Sequence, residues 1–478
     1  MRTYLFVIAV LTVLCSSSVY CQNLKSTQIQ IRTLLNDPAI ASAHVGVHIE
    51  NLETGEIVYS QNPYKLFLPA SNLKVVTTAC ALSLLGPDYQ YETKLYTDGK
   101  IDNGILQGNL YIRGCGDPTI NEHHYEEKSH VFRSWANTLK QMGIRKVQGQ
   151  VIGDVTVFGN AEIGYGWEKD DLIYYYGAKT SSLTFNDNCI DLVISPASEV
   201  GKLAIVTQKP LPDYLKTHNH VTTSVKDSSR SLKYMRDSAF AGLKVSGQMP
   251  VGADAKIFST AVPNPADFFL ANVLQTFNKQ GIHCEKYTIS QAVDYTNKKP
   301  LFTHKSPPLR DIIKIINKQS NNLYAETVWK TMGLEIGGSR NNVVEVEKKF
   351  LEKLGIAAED IFIVDGSGLS RHNMIAPQQM IQILKYMHRS PHAQVFRDSL
   401  AIGGKDGTLR NRWRNNEAAG SIFGKSGYLT RVITLCGYVY SKAGGKYAFS
   451  IMVNNYKTRN VAIRNIQDQI TTILYHSN

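Results

Sequence analysis

Apolar and polar residues alternate near the start of the chain, between residues 42 and 59. Val45, Val47 and Ile49 occupy every second position, and a turn follows near Gly55. This period is that of a half-buried strand, and a turn between two such runs predicts a hairpin. We therefore expect two strands to open the fold.

A helical pattern replaces the alternation over residues 71–85. Val75, Val76 and Ala79 recur at the spacing of one helix face, and Gly86 with the proline after it ends the pattern. Ser71 is therefore predicted to lie at the N-terminus of a helix.

The middle of the chain, residues 88–262, consists of short strand-like runs separated by Gly, Asn, Asp and Pro. Examples are residues 110–112, 147–157 and 190–193. This pattern predicts a β-rich insertion. Helical periodicity returns at residues 265–279.

A second helical pattern, over residues 310–331, is interrupted at residues 319–322. Strand patterns then occupy residues 421–453, and isoleucines from 463 to 473 recur at helix spacing. Strands at both ends of the chain, with helices between them, predict one sheet assembled from both termini.

The predicted fold class is therefore α/β of the α+β kind, a mainly antiparallel sheet with helices and a β-rich insertion. We expect residues 22–87 and 264–478 to form one discontinuous domain and residues 88–263 to form the insertion. A length of 478 residues agrees with two or more domains, because one hydrophobic core rarely serves so long a chain.

The first residues have the pattern of a secretory signal peptide. Arg2 supplies a positive start, and residues 4–14 form an apolar stretch too short to span a bilayer. Small residues around Cys21 favour cleavage after it, so residues 1–21 are predicted to be a signal peptide. We expect a periplasmic or envelope-associated protein, with at most peripheral membrane contact.

The formal net charge is +12, which suits an anionic partner or a basic solvated surface. Nucleic acid is not expected as a partner, because no cluster of Lys and Arg with interleaved aromatic residues is present. The chain contains no C-x-x-C pair, so we expect neither a metal nor a cofactor. For the five cysteines after Cys21, the sequence leaves two alternatives open, buried free thiols or one incidental disulfide.

Candidate chemistry begins with Ser71-Asn72-Leu73-Lys74, which places a hydroxyl and an amine three residues apart. Side chains at this spacing share a helix face, so Lys74 can act as the base that activates Ser71. Taken alone the pattern is weak, because a capped helix with a surface lysine has the same spacing.

Two further patterns strengthen it. Ser320-Asn321-Asn322, in the break between two helices, offers a hydroxyl and a carboxamide. Lys425-Ser426-Gly427 lies on a predicted strand, where a cation and a hydroxyl can bind a carboxylate and glycine permits close approach.

Gly420 to Ser426 also resembles a phosphate loop, but Ala419 replaces its first glycine and no helix follows.

These three patterns resemble the S-x-x-K, S-x-N and K-T-G motifs of penicillin-binding proteins and serine β-lactamases. The long interval between Ser71 and Ser320 resembles the class C low-molecular-mass penicillin-binding proteins, the D-alanyl-D-alanine carboxypeptidase/endopeptidase family. Six more stretches resemble this family: residues 68–71, 108–118, 166–171, 182–188, 365–371 and 406–409.

The resemblance implies a penicillin-binding/β-lactamase-like core, with an insertion of two small domains. It implies a serine-type D-Ala-D-Ala carboxypeptidase or endopeptidase that acts on peptidoglycan stem peptides and is inhibited covalently by β-lactam antibiotics. It also assigns roles to Ser71 as nucleophile, Lys74 as base, Ser320 as proton shuttle, Asn322 as the group that holds the acyl-side amide, and Lys425 with Ser426 as the carboxylate site.

The same resemblance places the oxyanion hole at the backbone N–H groups of Ser71 and Tyr428, with Gly427 beside them. It further implies that Arg371, Asp154 and Phe158 contact the stem peptide.

Two alternatives stay open from the sequence. One is a β-lactamase or D-amino-acid esterase on the same core, and the other is an inactive wall-binding homologue. The oligomeric state, and the balance between carboxypeptidase and endopeptidase action, are not determined by the sequence.

Overall fold

The structure is a computed structural model that describes residues 24–211, 213–236 and 242–477. The predicted signal peptide lies outside the described residues.

The α-helices of the described residues are numbered in chain order: α1 (24–35), α2 (Leu73–Leu85), α3 (His130–Gln141), α4 (Pro265–Lys279), α5 (Leu309–Lys318), α6 (Asn322–Gly337), α7 (Val343–Glu352), α8 (Pro377–Arg389), α9 (Ala393–Ser399) and α10 (Asn460–His476).

The strands are numbered in the same way: β1 (His44–Asn51), β2 (Ile57–Gln61), β3 (Glu92–Thr97), β4 (Lys100–Asp102), β5 (Ile105–Gln107), β6 (Leu110–Arg113), β7 (Lys146–Val147), β8 (Val151–Asp154), β9 (Cys189–Ser195), β10 (Ile205–Lys209), β11 (Thr217–Ser224), β12 (Ser231–Arg236), β13 (Leu243–Pro250), β14 (Lys256–Ala261), β15 (Tyr287–Ser290), β16 (Lys299–Lys305), β17 (Ala401–Ile402), β18 (Ile422–Leu429), β19 (Val432–Tyr440) and β20 (Lys446–Asn454).

The chain divides into two compact units. Of the described residues, 24–87, 313–321 and 332–477 form the first unit. Its sheet has the order β17-β18-β19-β20-β1-β2, with every neighbouring pair antiparallel. β1 pairs with β20 along its whole length, so the first and last strands of the chain meet. This sheet confirms the predicted fold class.

Both faces of this sheet are covered, because β1 is buried at seven of its eight residues. On one face Val45, Val47 and Ile49 join a hydrophobic cluster with residues of α1 and α10. On the other face a Cβ added to Gly46 would lie 2.8 Å from Pro377, the first residue of α8. The predicted hairpin alternation therefore separates an apolar face from a second face that is also buried but carries the hydrogen-bonded pair His48 and Glu50.

The nucleophile segment lies inside this unit. Residues Ala70–Asn72 form a single 3₁₀ turn, and α2 starts directly after it. The predicted helix therefore starts two residues later than expected. Ala70 explains the difference, because its φ of +47° is incompatible with a regular helix. α2 is buried from Leu73 to Leu82, so it is a central helix of the unit.

The predicted break between two helices is present, and it comprises residues 319–321 between α5 and α6. Ser320 has a φ of +61°, which ends α5 and turns the chain before Asn322 starts α6.

The second unit comprises residues 88–312 and 322–331. It contains a five-stranded sheet of order β15-β8-β6-β3-β16. Its described residues also form three-stranded sheets of order β4-β5-β7, β10-β9-β14 and β11-β13-β12. One hydrophobic cluster runs through the unit and includes Phe132, Trp135 and Phe269. The implied division of the insertion into two small domains stays a prediction.

The observed second boundary differs from the predicted one, because residues 264–312 belong to the second unit and not to the first. β15 pairs in parallel with β8, and β16 pairs antiparallel with β3, so both strands complete the five-stranded sheet. α4 joins the same cluster through Phe268 and Phe269.

Within the described part of the chain, no helix combines the length and the apolar character needed to cross a membrane. Cys80, Cys115, Cys189, Cys284 and Cys436 are free thiols, which is the first of the two alternatives left open by the sequence.

Candidate active site

Ser71 and Lys74 are in direct contact. The Nζ of Lys74 lies 3.0 Å from the Oγ of Ser71 and donates a second hydrogen bond, of 2.7 Å, to the backbone oxygen of Ser367. Lys74 is fully buried, whereas Ser71 is partly exposed. Burial penalises the charged form of a lysine, and a neutral amine is what abstraction of the Ser71 proton requires.

Lys425 and Ser320 form a second pair. The Nζ of Lys425 donates to the Oγ of Ser320 at 2.9 Å and to the backbone oxygen of Ser426 at 2.7 Å. Lys425 is fully buried on β18, opposite Cys436 of β19. Burial lowers the pKa of Lys425 well below its ordinary value, and the positive charge of Lys74 lowers it further. The two lysines are therefore close enough to influence each other's charge.

The turn that carries Ser71 is held by residues 365–368. A Cβ added to Gly368, whose φ is +80°, would lie 1.9 Å from the backbone oxygen of Ala70. The carboxylate of Asp365 accepts hydrogen bonds from the N–H of Gly368 at 2.8 Å and from Ser370 at 2.6 Å. This loop therefore presents the Ser367 carbonyl to Lys74.

β18 passes directly beside the same turn. A Cβ added to Gly427 would lie 2.1 Å from the Oγ1 of Thr434 and 2.8 Å from the backbone oxygen of Pro69. The Thr434 hydroxyl donates to that Pro69 oxygen at 2.7 Å. Only glycine permits this approach, which explains the third residue of the Lys-Ser-Gly motif.

Ala70 and Ser320, with φ of +47° and +61°, are strained positions next to the reacting groups. A non-glycine residue in this region costs about 1–3 kcal/mol, and such residues cluster at active sites where surrounding contacts enforce them. Contacts from Gly368 to Ala70 and from Lys425 to Ser320 provide that enforcement.

Comparison with known proteins identifies the family of the chain. Residues 27–476 match the family described as D-Ala-D-Ala carboxypeptidase 3 (S13). The chain belongs to this family. Membership confirms the resemblance drawn from the motifs, and it confirms the enzyme class, a serine-type D-Ala-D-Ala carboxypeptidase.

Relatives of this S13 peptidase are similar over most of their length. A D-alanyl-D-alanine carboxypeptidase of an Actinomadura species is 29% identical over 442 residues, which cover 89% of this chain and 80% of the relative. The crystal structure of penicillin-binding protein 4 from Haemophilus influenzae has a TM-score of 0.81 and 25% identity, and the match covers 93% of this chain and 99% of that one. The same protein complexed with a β-lactam has a TM-score of 0.73 at 25% identity, with 93% and 98% covered.

The remaining predicted site residues of this S13 peptidase fall into two groups. Arg371 and Tyr428 are exposed in the first unit, and Arg371 donates to the backbone oxygen of Thr430 at 3.4 Å. Arg371 thus contacts the segment that follows β18. Ser426 donates its hydroxyl proton to the Oγ1 of Thr408 at 2.8 Å.

Asn322, Asp154 and Phe158 belong to the second unit. The Nδ2 of Asn322 donates to the backbone oxygen of Tyr176 at 2.8 Å. Asp154 is 1% exposed and accepts a hydrogen bond from Tyr295 at 2.8 Å, and Phe158 is also 1% exposed. The side chains of Asp154 and Phe158 are thus buried inside that unit, and their contact with a stem peptide stays a prediction.

Sequence reasoning did not identify Ser367, Gly368, Thr408 and Thr434 as parts of the site. Residues 365–371 and 406–409 carried the family resemblance, and that was the signal available for three of the four. Thr434 lies in a strand pattern without any distinguishing feature.

Proposed function

We propose that this peptidase removes the terminal D-Ala from peptidoglycan stem peptides, and cleaves D-configured cross-links between them, through an acyl-enzyme on Ser71. The observation that carries the proposal is the double lysine–serine arrangement, with 3.0 Å from Lys74 to Ser71 and 2.9 Å from Lys425 to Ser320.

In acylation, Lys74 takes the proton of Ser71 while the Oγ of Ser71 bonds to the carbonyl carbon of the penultimate D-Ala. The N–H groups of Ser71 and Tyr428 are proposed to stabilise the oxyanion, as the family resemblance implies. The C–N bond then breaks, and Ser320 passes a proton to the leaving amine while Lys425 replaces that proton. The proton that Lys74 took from Ser71 passes to Lys425, so Lys74 is neutral again. A water molecule, deprotonated by Lys74, then attacks the ester, and that proton returns to the Oγ of Ser71 as the shortened peptide is released.

Substrate recognition follows the family pattern residue by residue. Ser426, Gly427 and Tyr428 line the approach along β18, and Asn322 holds the amide on the acyl side. Arg371 is proposed to meet the stem-peptide side chain, because it is exposed and anchored next to β18. The predicted contacts of Asp154 and Phe158 have no comparable support in their surroundings.

The proposed location is the periplasm or the cell envelope, where the substrate is found. The apolar segment at residues 4–14 and the basic net charge support this location, because stem peptides and wall polymers are anionic. β-Lactams are proposed as covalent inhibitors at Ser71, since the Haemophilus relative is described in complex with one.

The test is incubation with labelled penicillin and with a stem-peptide mimic that ends in D-Ala-D-Ala. We expect one covalent adduct, mapped to Ser71 by mass spectrometry, and release of free D-Ala. In Ser71→Ala both should disappear, whereas Ser83→Ala, which alters a serine in α2 away from the motif, should retain both. An adduct that persists in Ser71→Ala would refute the proposal, and rapid hydrolysis of the β-lactam would favour a β-lactamase.

A further inference from the structure

The carboxylate end of the substrate accepts more hydrogen bonds than Lys425 alone can donate. Lys425 is fully buried, and two of its three N–H bonds are directed to Ser320 and to the backbone oxygen of Ser426. A terminal carboxylate has two oxygens, each able to accept two hydrogen bonds. Hydroxyl groups at the surface of the site are therefore the donors within reach of it.

Two such hydroxyls lie side by side. The Oγ of Ser426 is 2.8 Å from the Oγ1 of Thr408, and Thr408 is exposed while Ser426 is partly exposed. Because Thr408 accepts the Ser426 proton, the proton of its own hydroxyl has to be donated elsewhere. A carboxylate beside this pair can therefore accept the Thr408 proton, while the Ser426 proton is held by Thr408.

The position of Thr408 is fixed by its neighbours. Asp406 forms an ion pair with Lys318, which lies two residues before Ser320, and also accepts a hydrogen bond from the N–H of Ile402 at 2.7 Å. A Cβ added to Gly407, whose φ is +55°, would lie 2.5 Å from the backbone oxygen of Lys318. The loop of residues 406–408 is therefore seated against the segment that carries Ser320.

We propose that Thr408 is a specificity-determining residue whose hydroxyl, beside that of Ser426, binds the free carboxylate of the terminal D-Ala. This inference rests on the proposed function, because it names the recognition element of the same site. It assigns to Thr408 the preference for an end with a free carboxylate over an end without one.

The experiment compares two stem-peptide mimics that differ only at the C-terminus, a free carboxylate and a carboxamide. The variants are Thr408→Val, which keeps the shape but removes the hydroxyl, and Thr408→Ser, which keeps the hydroxyl. Thr33→Val, at an exposed position of α1, is the matched control. Release of D-Ala or D-Ala amide gives kcat and KM for each pair.

In Thr408→Val we expect kcat/KM for the carboxylate substrate to fall about 10- to 100-fold, as expected for a lost hydrogen bond to a charged group. The loss should lie mainly in KM, because the contact exists before the transition state. Activity on the carboxamide should change little. The ratio of kcat/KM for the carboxylate substrate to kcat/KM for the carboxamide should therefore fall by the same factor. Thr408→Ser should restore that ratio, and Thr33→Val should not alter it.

Equal losses on both substrates in Thr408→Val would overturn the inference, because they would show a purely structural role. Unchanged kinetics on both substrates would overturn it as well. Failure of the wild-type protein to release any D-Ala would instead refute the proposed function, so the two failures are distinguishable.

Discussion

At the scale of single residues, the acid–base chemistry depends on two lysines that are both fully buried and lie close to each other. Two positive charges buried so close together would repel each other, so placing both amines here costs stability, and function explains why the fold tolerates it. Lys74 and Lys425 each contact a serine, so each lysine has one hydroxyl whose proton it can exchange. The two buried lysines therefore lower the stability of the folded protein, and they supply the acid–base groups that the reaction needs.

Lys425→Met should stabilise the protein at neutral pH and abolish turnover. The pKa of Lys425 in the folded state lies well below its ordinary value of 10.5, so unfolding takes up a proton between those two values. The contribution of Lys425 to wild-type stability consequently becomes less unfavourable as the pH rises toward 10.5, and its penalty is fully present at pH values below the folded pKa.

The measurement is the thermal midpoint of Lys425→Met and of the wild type at pH 7 and pH 10. The gain in midpoint should be clear at pH 7 and should shrink at pH 10. D-Ala release should fall by about 100-fold or more, the usual contribution of an acid–base group. Lys457→Met, at an exposed lysine, should change neither property. An equal gain in thermal midpoint at both pH values would show that the stabilisation comes from packing and not from removal of the buried amine's charge.

The sequence allowed Ser71, Lys74, Ser320 and Lys425 to be predicted, because each belongs to a motif whose spacing follows from its chemistry. The Ser367 carbonyl could not be predicted in the same way. A backbone oxygen is available from any residue type, and its position depends on how a loop almost 300 residues later folds against α2.

At the scale of elements, the site is assembled where a 3₁₀ turn, a helix break and a strand converge within the first unit. Helical spacing and its interruption predicted α2 and the break at residues 319–321. The 3₁₀ turn was not predicted, since it is imposed on Ala70 by Gly368 and by the Pro69 contact with Thr434. Local sequence preferences do not reveal such contacts, because the contacting residues lie far apart in the chain.

Gly368→Ala should test how strongly the 365–368 loop holds this turn. The new Cβ would combine a strained φ with a clash against the Ala70 oxygen at 1.9 Å. Gly338→Ala is the matched control, because Gly338 has a similar φ of +73° and open space around it.

We expect Gly338→Ala to lose about 1 kcal/mol of unfolding free energy, which is the cost of the backbone conformation. Gly368→Ala should lose more, and its rate of acylation by penicillin should fall while that of Gly338→Ala stays at the wild-type level. Denaturant unfolding and adduct formation provide the two readouts. Similar losses of unfolding free energy and of acylation rate in both variants would mean that the 365–368 loop shifts without displacing Ser71.

At the scale of the whole molecule, two units have separate hydrophobic clusters. The sheet formed by both ends of the chain was predictable, because strong strand patterns lie at each terminus. The second domain boundary was not predictable, because neither β15 nor β16 contains a buried residue or a clear apolar period. Their place is decided by pairing with β8 and β3, which a local pattern does not reveal.

Separate clusters predict two unfolding transitions. Phe269→Ala removes a buried ring of the second unit, which lies 4.9 Å from the ring of Phe132, and Ile470→Ala removes a buried side chain of the first. Each substitution should cost about 2–5 kcal/mol in its own unit and lower one calorimetric transition. A single transition that both variants lower equally would show that the two clusters unfold together.

The pairing of β1 with β20 also has a consequence for how the chain matures. A ribosome, or a translocation channel, delivers the N-terminal strand more than 390 residues before its partner, so β1 and the nucleophile turn wait for the last strand of the sheet. Contacts of such long sequence separation form slowly, and an unpaired strand invites association with other chains in the meantime. Penicillin binding should therefore be absent from every shortened product that lacks β20, and should appear only after β20 has been synthesised.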